Sequence, residues 1–204
     1  MNENHESLCP SPEWAEHIQS EILPSLAGIA DLGDDMLEIG PGPGAATEWL
    51  RHRVRHLTAV ESDVEAAGKL AARYADGNVE VVAGDATNLT YPDESFDSVG
   101  CFTMLHHVPT FALQNRLLSE AFRVLRPGGA LIASDSLGSN GLHHFHEGDT
   151  YNPVEPASAL TRLQTIGFDK ITIIVDWGLK FVACKPTGQD GCPEAAADGD
   201  QSAP

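Results

Sequence analysis

The chain has 204 residues, 42% hydrophobic and 21% charged, a composition typical of one globular domain with a substantial core. Its formal net charge of -18 argues against nucleic-acid binding, because such a chain repels phosphate backbones. No stretch approaches the ~20 consecutive apolar residues of a membrane-spanning helix, and no secretory signal is visible. We therefore expect a cytoplasmic protein that binds neither membranes nor nucleic acid, with its four cysteines as free thiols.

Two terminal segments are predicted to lie outside the folded domain. Residues 1–10 are mostly polar, and we expect a flexible N-terminus there. Residues 186–204 are rich in Gly, Pro, Ala and Asp and show no hydrophobic periodicity, so we expect a disordered tail. Residues 11–185 remain as a single domain.

Helices and strands alternate through this domain. Helices are predicted over residues 11 to about 26, 45–53, 64–75, 113–125 and 157–166. Strands are predicted over 36–39, 56–60, 79–83, 96–104, 130–134, 170–175 and 180–184. The alternation predicts an α/β fold whose mostly parallel seven-stranded sheet carries helices on both faces. The last two strands are joined by only four residues, which permits only a terminal antiparallel hairpin.

Glycines and acids follow the first three predicted strands, at the sheet edge where open α/β folds bind ligands. The first strand ends in LEIGPGPG at 37–44, whose alternate glycines allow a sharp turn and close approach of a ligand. Glu61 ends the second strand, and its carboxylate suits the two hydroxyls of a ribose. Asp85 places a second carboxylate after the third strand.

The glycine spacing also fits the dinucleotide fingerprint, so a nicotinamide-dependent oxidoreductase is an alternative. Three features count against it, one being that the acid after the third strand and the terminal antiparallel pair do not belong to the usual dinucleotide pattern. Glu38 lies inside the strand end, where it can face an ammonium group. Pro41 and Pro43 remove two backbone N–H groups that a pyrophosphate would use.

Taken together, these segments resemble the class I S-adenosylmethionine-dependent methyltransferases of small-molecule type. The similarity extends from about Asp35 to Lys185. The matching segments are LEIGPGPG at 37–44, AVESD at 59–63, GDATNL at 84–89, FDSVGCFTMLHHV at 96–108 and LRPGG at 125–129. The resemblance implies a Rossmann-like fold, S-adenosyl-L-methionine as cofactor and methyl transfer by in-line displacement.

The resemblance also implies roles for individual residues. Glu38 and the glycine loop would hold the methionine part of the cofactor, and Glu61 the ribose hydroxyls. Asp85 and Ala86 would bind the adenine, and the backbone at 102–103 would meet the methionine amino group. The expected cofactor-binding residues are Glu38, Gly40, Gly42, Gly44, Glu61, Asp85, Ala86, Phe102 and Thr103.

Histidines mark the expected acceptor side. His106 and His107 follow the fourth strand and are candidate catalytic bases, the alternative being that they only pack or hydrogen-bond the backbone. The irregular stretch 135–156 is expected to face the substrate. Its candidate substrate-binding residues are His143, His144 and His146. Neighbouring side chains on an extended chain point to opposite sides, so no metal site is expected among them.

The leading hypothesis is therefore a methyltransferase that acts on a small-molecule acceptor. The alternatives are a non-catalytic protein that binds S-adenosylmethionine or S-adenosylhomocysteine and, with less support, an NAD-dependent oxidoreductase. The sequence identifies neither the acceptor, nor the atom that is methylated, nor the oligomeric state.

Overall fold

A computed structural model describes residues 2–188. Its centre is a seven-stranded sheet with the order β3-β2-β1-β4-β5-β7-β6. The strands are β1 Asp35–Ile39, β2 His56–Glu61, β3 Val79–Ala83, β4 Phe96–Phe102, β5 Leu125–Asp135, β6 Asp169–Val175 and β7 Leu179–Cys184. The first five strands pair in parallel, and β7 is antiparallel to both of its neighbours. The predicted Rossmann-like α/β fold is confirmed, including its antiparallel terminal hairpin.

Eight α-helices surround the sheet in the described part of the chain. They are α1 Glu3–Leu8, α2 Pro12–His17, α3 Leu23–Ala27, α4 Ala45–Leu50, α5 Val64–Arg73, α6 Phe111–Val124, α7 Asn140–Phe145 and α8 Pro156–Ile166. A π-helical turn, Ile18–Ile22, joins α2 to α3, so the first predicted helix continues to Ala27. Gly167 ends α8 in the left-handed conformation, with φ of +119°.

Side chains alternate between two cores along each buried strand. In β5, Leu131 and Ala133 pack with residues of α6 and α8, whereas Ala130 and Ile132 pack on the other face with the π-helical turn and α4. This period of two, with apolar side chains on both faces, is the pattern of a parallel strand covered by helices on each side. It leaves the carboxyl ends of the strands as the accessible edge of the sheet.

The N-terminus differs from the sequence expectation. Where residues 1–10 are predicted to be flexible, the structure has helix α1, capped by Asn2 and with His5 only 4% exposed. The side-chain amides of Asn2 and Asn4 donate hydrogen bonds to the Phe145 carbonyl, at 2.8 Å each. These polar contacts with α7 hold α1 in place, although the helix has no continuous apolar face.

Four further expectations concern single features of the chain. Strand β5 begins at Leu125, five residues before the predicted strand, so the Pro-Gly-Gly segment belongs to β5. Cys9, Cys101 and Cys184 are free thiols, and Cys192 lies outside the described residues. The predicted disordered tail also lies outside them, apart from 186–188. Among residues 2–188, no helix combines the length and the apolarity needed to span a membrane.

Candidate active site

The glycine loop after β1 is closely packed on one side and open on another. Gly40 has φ of +66°, and a Cβ atom there would lie 2.9 Å from the Met104 side chain. Gly44, with φ of +88°, precedes α4, and a Cβ atom there would lie 2.6 Å from Leu70. A Cβ on Gly42 would meet no atom within 4 Å among the described residues. The loop therefore needs glycine at its two ends and leaves space for a ligand at its centre.

Glu38 is a buried acid directly beneath this loop. Its side chain is 1% exposed, and the Thr47 hydroxyl donates a 2.7 Å hydrogen bond to its Oε2. Burial raises the pKa of Glu38 to about 7, the Thr47 hydrogen bond opposes this shift, and the nearby charge of Glu61 adds to it. A buried carboxyl with a raised pKa is a group for which a cationic ligand would compensate the cost of ionisation.

Glu61 lies at the carboxyl end of β2 and reaches the loop. Its Oε2 accepts a hydrogen bond from the Gly42 backbone N–H at 3.1 Å, and its Oε1 accepts from the Asp63 N–H at 3.0 Å. The Ser62 hydroxyl also donates to Oε1 at 3.3 Å, so Oε2 is the oxygen that retains a lone pair for another donor. Asp85 is exposed at the same edge, after β3, and its Oδ1 accepts from the Thr87 N–H at 2.8 Å. Ala86 follows it and packs against the core.

The end of β4 contains a strained residue. Phe102 is buried, whereas the next residue, Thr103, has φ of +52°, in the left-handed region that a β-branched side chain disfavours. Its N–H donates to the Ser134 carbonyl at 2.8 Å, which joins β4 to β5 at this point. Backbone strain of this kind concentrates at functional sites. The left-handed conformation of Thr103 turns the chain into the segment that contains His106.

His106 is held by a buried acid from β5. Its Nδ1 pairs with Oδ1 of Asp135, and its backbone N–H donates to Asp135 Oδ2 at 3.0 Å. Both side chains are almost completely buried, at 6% and 0% exposure. A carboxylate that fixes one ring nitrogen leaves Nε2 for another partner. This arrangement occurs both in proton-accepting histidines and in histidines that bind metal ions.

Four histidine rings meet next to this pair, in a group that we call the histidine cluster: His5, His106, His107 and His146. One ring nitrogen from each lies within 4.8 Å of the others. The Nε2 atoms of His5 and His146 are 3.1 Å apart. Tyr151 stacks on the His146 ring with a centroid distance of 4.2 Å. Segments distant in the sequence therefore bring imidazole groups to one point near the carboxyl end of β4.

Burial keeps three of these rings neutral at neutral pH. It lowers the pKa of His107 to about 3 and that of His5 to about 4, with additional lowering from neighbouring histidines. The pKa of His146 is also lowered, again mainly by burial. With a pKa so far below 7, His107 is a poor match for the general base suggested by the sequence.

The structure brings only part of the predicted acceptor side together. His146 joins His106 and His107 in the cluster, whereas His143 and His144 are exposed on α7. Nδ1 of His144 lies 3.4 Å from Oε2 of Glu147. His5 is absent from the residues predicted from the sequence. The one local signal at His5 is its position in a short helix capped by Asn2. Its ring contacts His146, which is 141 residues away in the chain.

The comparisons with known proteins agree with this geometry. Residues 37–133 match a family model described as "Methyltransferase domain". Fatty-acid O-methyltransferase of Mycolicibacterium smegmatis is 34% identical over 119 residues, 57% of this chain and 42% of that protein. The 27-O-demethylrifamycin SV methyltransferase of Amycolatopsis mediterranei is 35% identical over 129 residues, 60% of this chain and 46% of that protein.

A solved structure shows the same fold. The crystal structure of an S-adenosylmethionine-dependent methyltransferase from Methanosarcina mazei has a TM-score of 0.67 at 20% identity, covering 81% of this chain and 98% of that one. The chain spans less than half the length of the curated relatives named above. The matched part includes the glycine loop and continues through most of β5.

Proposed function

We propose, from the premise that this chain contains a domain of the class I S-adenosylmethionine-dependent methyltransferase family, that it transfers the cofactor's methyl group to a small-molecule acceptor. The observation that carries the proposal is the glycine loop between two acids, buried Glu38 below it and Glu61 beside it. The family match argues against the NAD-dependent alternative.

The residues at this edge fit the cofactor. The open space at Gly42 admits its methionine part, and Glu38 is placed for an ammonium group. Glu61 has a lone pair on Oε2 for a ribose hydroxyl, and Asp85 with Ala86 follows β3 where the adenine would lie. When bound, S-adenosylmethionine supplies a methyl group on a sulfonium, so a neutral thioether departs and no acid is needed. The chain's own task is to place the acceptor in line and to exclude water.

The acceptor side is proposed at the histidine cluster. Met104 connects the two regions, because its side chain packs against Gly40 and its backbone precedes the turn with His106 and His107. Helix α1 and the segment 145–149, which contribute His5 and His146 to the cluster, are hydrogen-bonded to each other. A compact group of contacting imidazole rings suits a small organic acceptor bound beside it better than a broad macromolecular surface. The names of the relatives, which include fatty-acid and rifamycin methyltransferases, point the same way.

The test has two steps. The first is calorimetric titration of the full chain with S-adenosylhomocysteine, for which we expect one binding site, and with NAD, for which we expect none. The second is transfer of a labelled methyl group from S-adenosylmethionine to a panel of small molecules that bear hydroxyl, amine, thiol or activated carbon groups. The variant Glu61→Ala serves as the control for cofactor-dependent transfer.

Each step has an outcome that contradicts the proposal. A folded chain that fails to bind S-adenosylhomocysteine would exclude the cofactor assignment. Binding without transfer to any acceptor class would favour the non-catalytic alternative. Transfer that survives unchanged in Glu61→Ala would show that the label enters by another route.

A further inference from the structure

Hydrogen-bond acceptors fix the protonated nitrogen of three rings in the histidine cluster. Nδ1 of His146 lies 2.6 Å from the Leu142 carbonyl, which can only accept, so this nitrogen carries the proton. Nδ1 of His5 lies 2.8 Å from Oδ1 of Asn2. The Asn2 amide is oriented by its Nδ2, which donates to two backbone carbonyls. Asp135 binds Nδ1 of His106 in the same way.

A neutral ring that is protonated on Nδ1 has its lone pair on Nε2. The Nε2 atoms of His5 and His146 face each other at 3.1 Å, so two lone pairs meet with no proton between them. A cation placed between the two rings would accept both lone pairs. His106 and His107 each bring one ring nitrogen to the same place.

From this convergence we infer that His5, His106, His107 and His146 bind a divalent transition-metal ion of the Zn²⁺ class. Imidazole nitrogen is a preferred ligand of zinc, copper, nickel and iron, but not of Mg²⁺ or Ca²⁺. With Zn–N bonds of about 2.0–2.1 Å, a tetrahedral site places ligand nitrogens about 3.3–3.4 Å apart. The 3.1 Å pair is close to this value, and nitrogens up to 4.8 Å apart reach it by inward movement on the order of 1 Å.

The surroundings of the cluster also resemble those of a metal site. Metal-binding histidines commonly donate their other N–H to a carboxylate or a backbone carbonyl, as His106 and His146 do here. Asp135 and Asp149 place two carboxylates around the four imidazole rings, and Asp149 Oδ2 lies 3.4 Å from His5 Nδ1. Their charges balance that of a divalent cation.

The ligands come from three separate segments. His5 belongs to α1, His106 and His107 to the turn after β4, and His146 to the C-terminal end of α7. A bound ion would therefore join the N-terminal helix to the sheet edge. The residues considered from the sequence for a metal site lie within 143–149, and only His146 among them belongs to the histidine cluster.

The experiment uses the full chain without an affinity tag, freed of metal with a chelator and then dialysed. Titration with Co²⁺ is expected to show one equivalent bound, with the intense visible absorption of tetrahedral cobalt, no thiolate-to-cobalt charge transfer, and displacement by Zn²⁺. His146→Ala should weaken Co²⁺ binding by at least ~100-fold. Asp135→Asn should weaken it by ~10–100-fold, the usual effect of removing a group that orients a ligand.

The matched control is His143→Ala, an exposed histidine on the same helix, which should leave Co²⁺ affinity unchanged. Because His146→Ala can disturb packing, His5→Ala provides a second variant, whose site lies on α1 rather than near the core. Circular dichroism and S-adenosylhomocysteine affinity report whether each variant is folded. The proposal is overturned if folded wild-type chain binds no Co²⁺, if His5→Ala and His146→Ala bind it as tightly as wild type, or if a thiolate band appears. None of these measurements depends on methyl transfer.

Discussion

The buried acids at the two edges of the sheet differ in how many hydrogen-bond donors the chain itself provides for them. At the amino edge, Asp97 accepts hydrogen bonds from the backbone N–H groups of Asp34 and Asp35, each at 3.0 Å, and pairs with Arg126 at 2.6 Å. At the carboxyl edge, Glu38 is more deeply buried and has one hydroxyl donor. The amino edge satisfies its charges within the chain, whereas at the carboxyl edge Glu38 keeps acceptor capacity for a ligand.

The pKa shifts express the same difference. Although burial opposes it, hydrogen bonds from backbone N–H groups and Arg126 lower the pKa of Asp97, and those from His56 and Arg126 lower the pKa of Asp35. Burial instead raises the pKa of Glu38. Acids with lowered pKa stabilise the folded chain when ionised, and an acid with a raised pKa destabilises it. The direction of the pKa shift thus distinguishes acids that stabilise the fold, Asp35 and Asp97, from Glu38, a candidate ligand-binding acid.

The largest expected effect on binding comes from Glu61. Replacement by Ala should weaken S-adenosylhomocysteine binding by ~1.5–3 kcal/mol, or roughly 10–150-fold, because hydrogen bonds to a charged group are lost. Calorimetry measures the affinity of the folded variant, and thermal unfolding measures the separate loss of stability expected because the Gly42 and Asp63 N–H groups lose their acceptor. An unchanged affinity in a folded variant would remove Glu61 from the ribose site.

Asp97→Ala should instead affect stability alone. We expect a loss of ~1–3 kcal/mol in the free energy of unfolding, because two backbone N–H groups and Arg126 lose their acceptor. Urea unfolding measures this loss, while the S-adenosylhomocysteine affinity of the folded chain should not change. Since the pKa of Asp97 is lowered from 3.8, its contribution should be present at neutral pH and lost as the pH falls below 3.8. A loss of S-adenosylhomocysteine affinity in folded Asp97→Ala would contradict this distinction between the two edges.

The smallest expected effect is a pH dependence due to Glu38. If the ligand's ammonium group lies against it, binding lowers its pKa from about 7, and affinity for S-adenosylhomocysteine should rise about 3–10-fold between pH 6 and 8. The sign for stability is opposite: the ligand-free chain binds more protons folded than unfolded between pH 4.5 and 7, so its stability falls as pH rises.

Glu38→Gln provides the control for both trends, since it keeps the shape of the side chain and removes its ionisation. Calorimetry in buffers of different ionisation enthalpy would show proton release below pH 7 in wild type only. The same pH profile in Glu38→Gln would assign the dependence to another group.

The fold could be predicted because its signals are local. Apolar strands alternate with amphipathic helices, and the short connection between β6 and β7 forces a hairpin. The predicted start of β5 at residue 130 is wrong, because Pro-Gly-Gly usually ends a helix and separates it from the next strand. Here the helix gives way directly to an extended chain, and Leu125 already pairs with Phe96 of β4.

The acceptor side could be predicted only in part. His106 and His107 follow a strand end, a position that sheet topology makes informative. His5 becomes important only because its helix docks on residues near 145, and no local pattern encodes a contact over that separation. His143 and His146 are alike in sequence, and only the orientation of α7 decides that one is exposed and the other buried.

The shortness of α1 has a consequence for access to the acceptor side. A helix of six residues is not stable in water by itself, so α1 persists only through its contacts with residues 145–149. Whatever displaces α1 also melts it. An entrance to the proposed acceptor side past α1 would therefore open through a local folding equilibrium rather than by hinge motion of a rigid lid. Protection of the amides of residues 3–8 against hydrogen exchange would report directly how often that entrance is open.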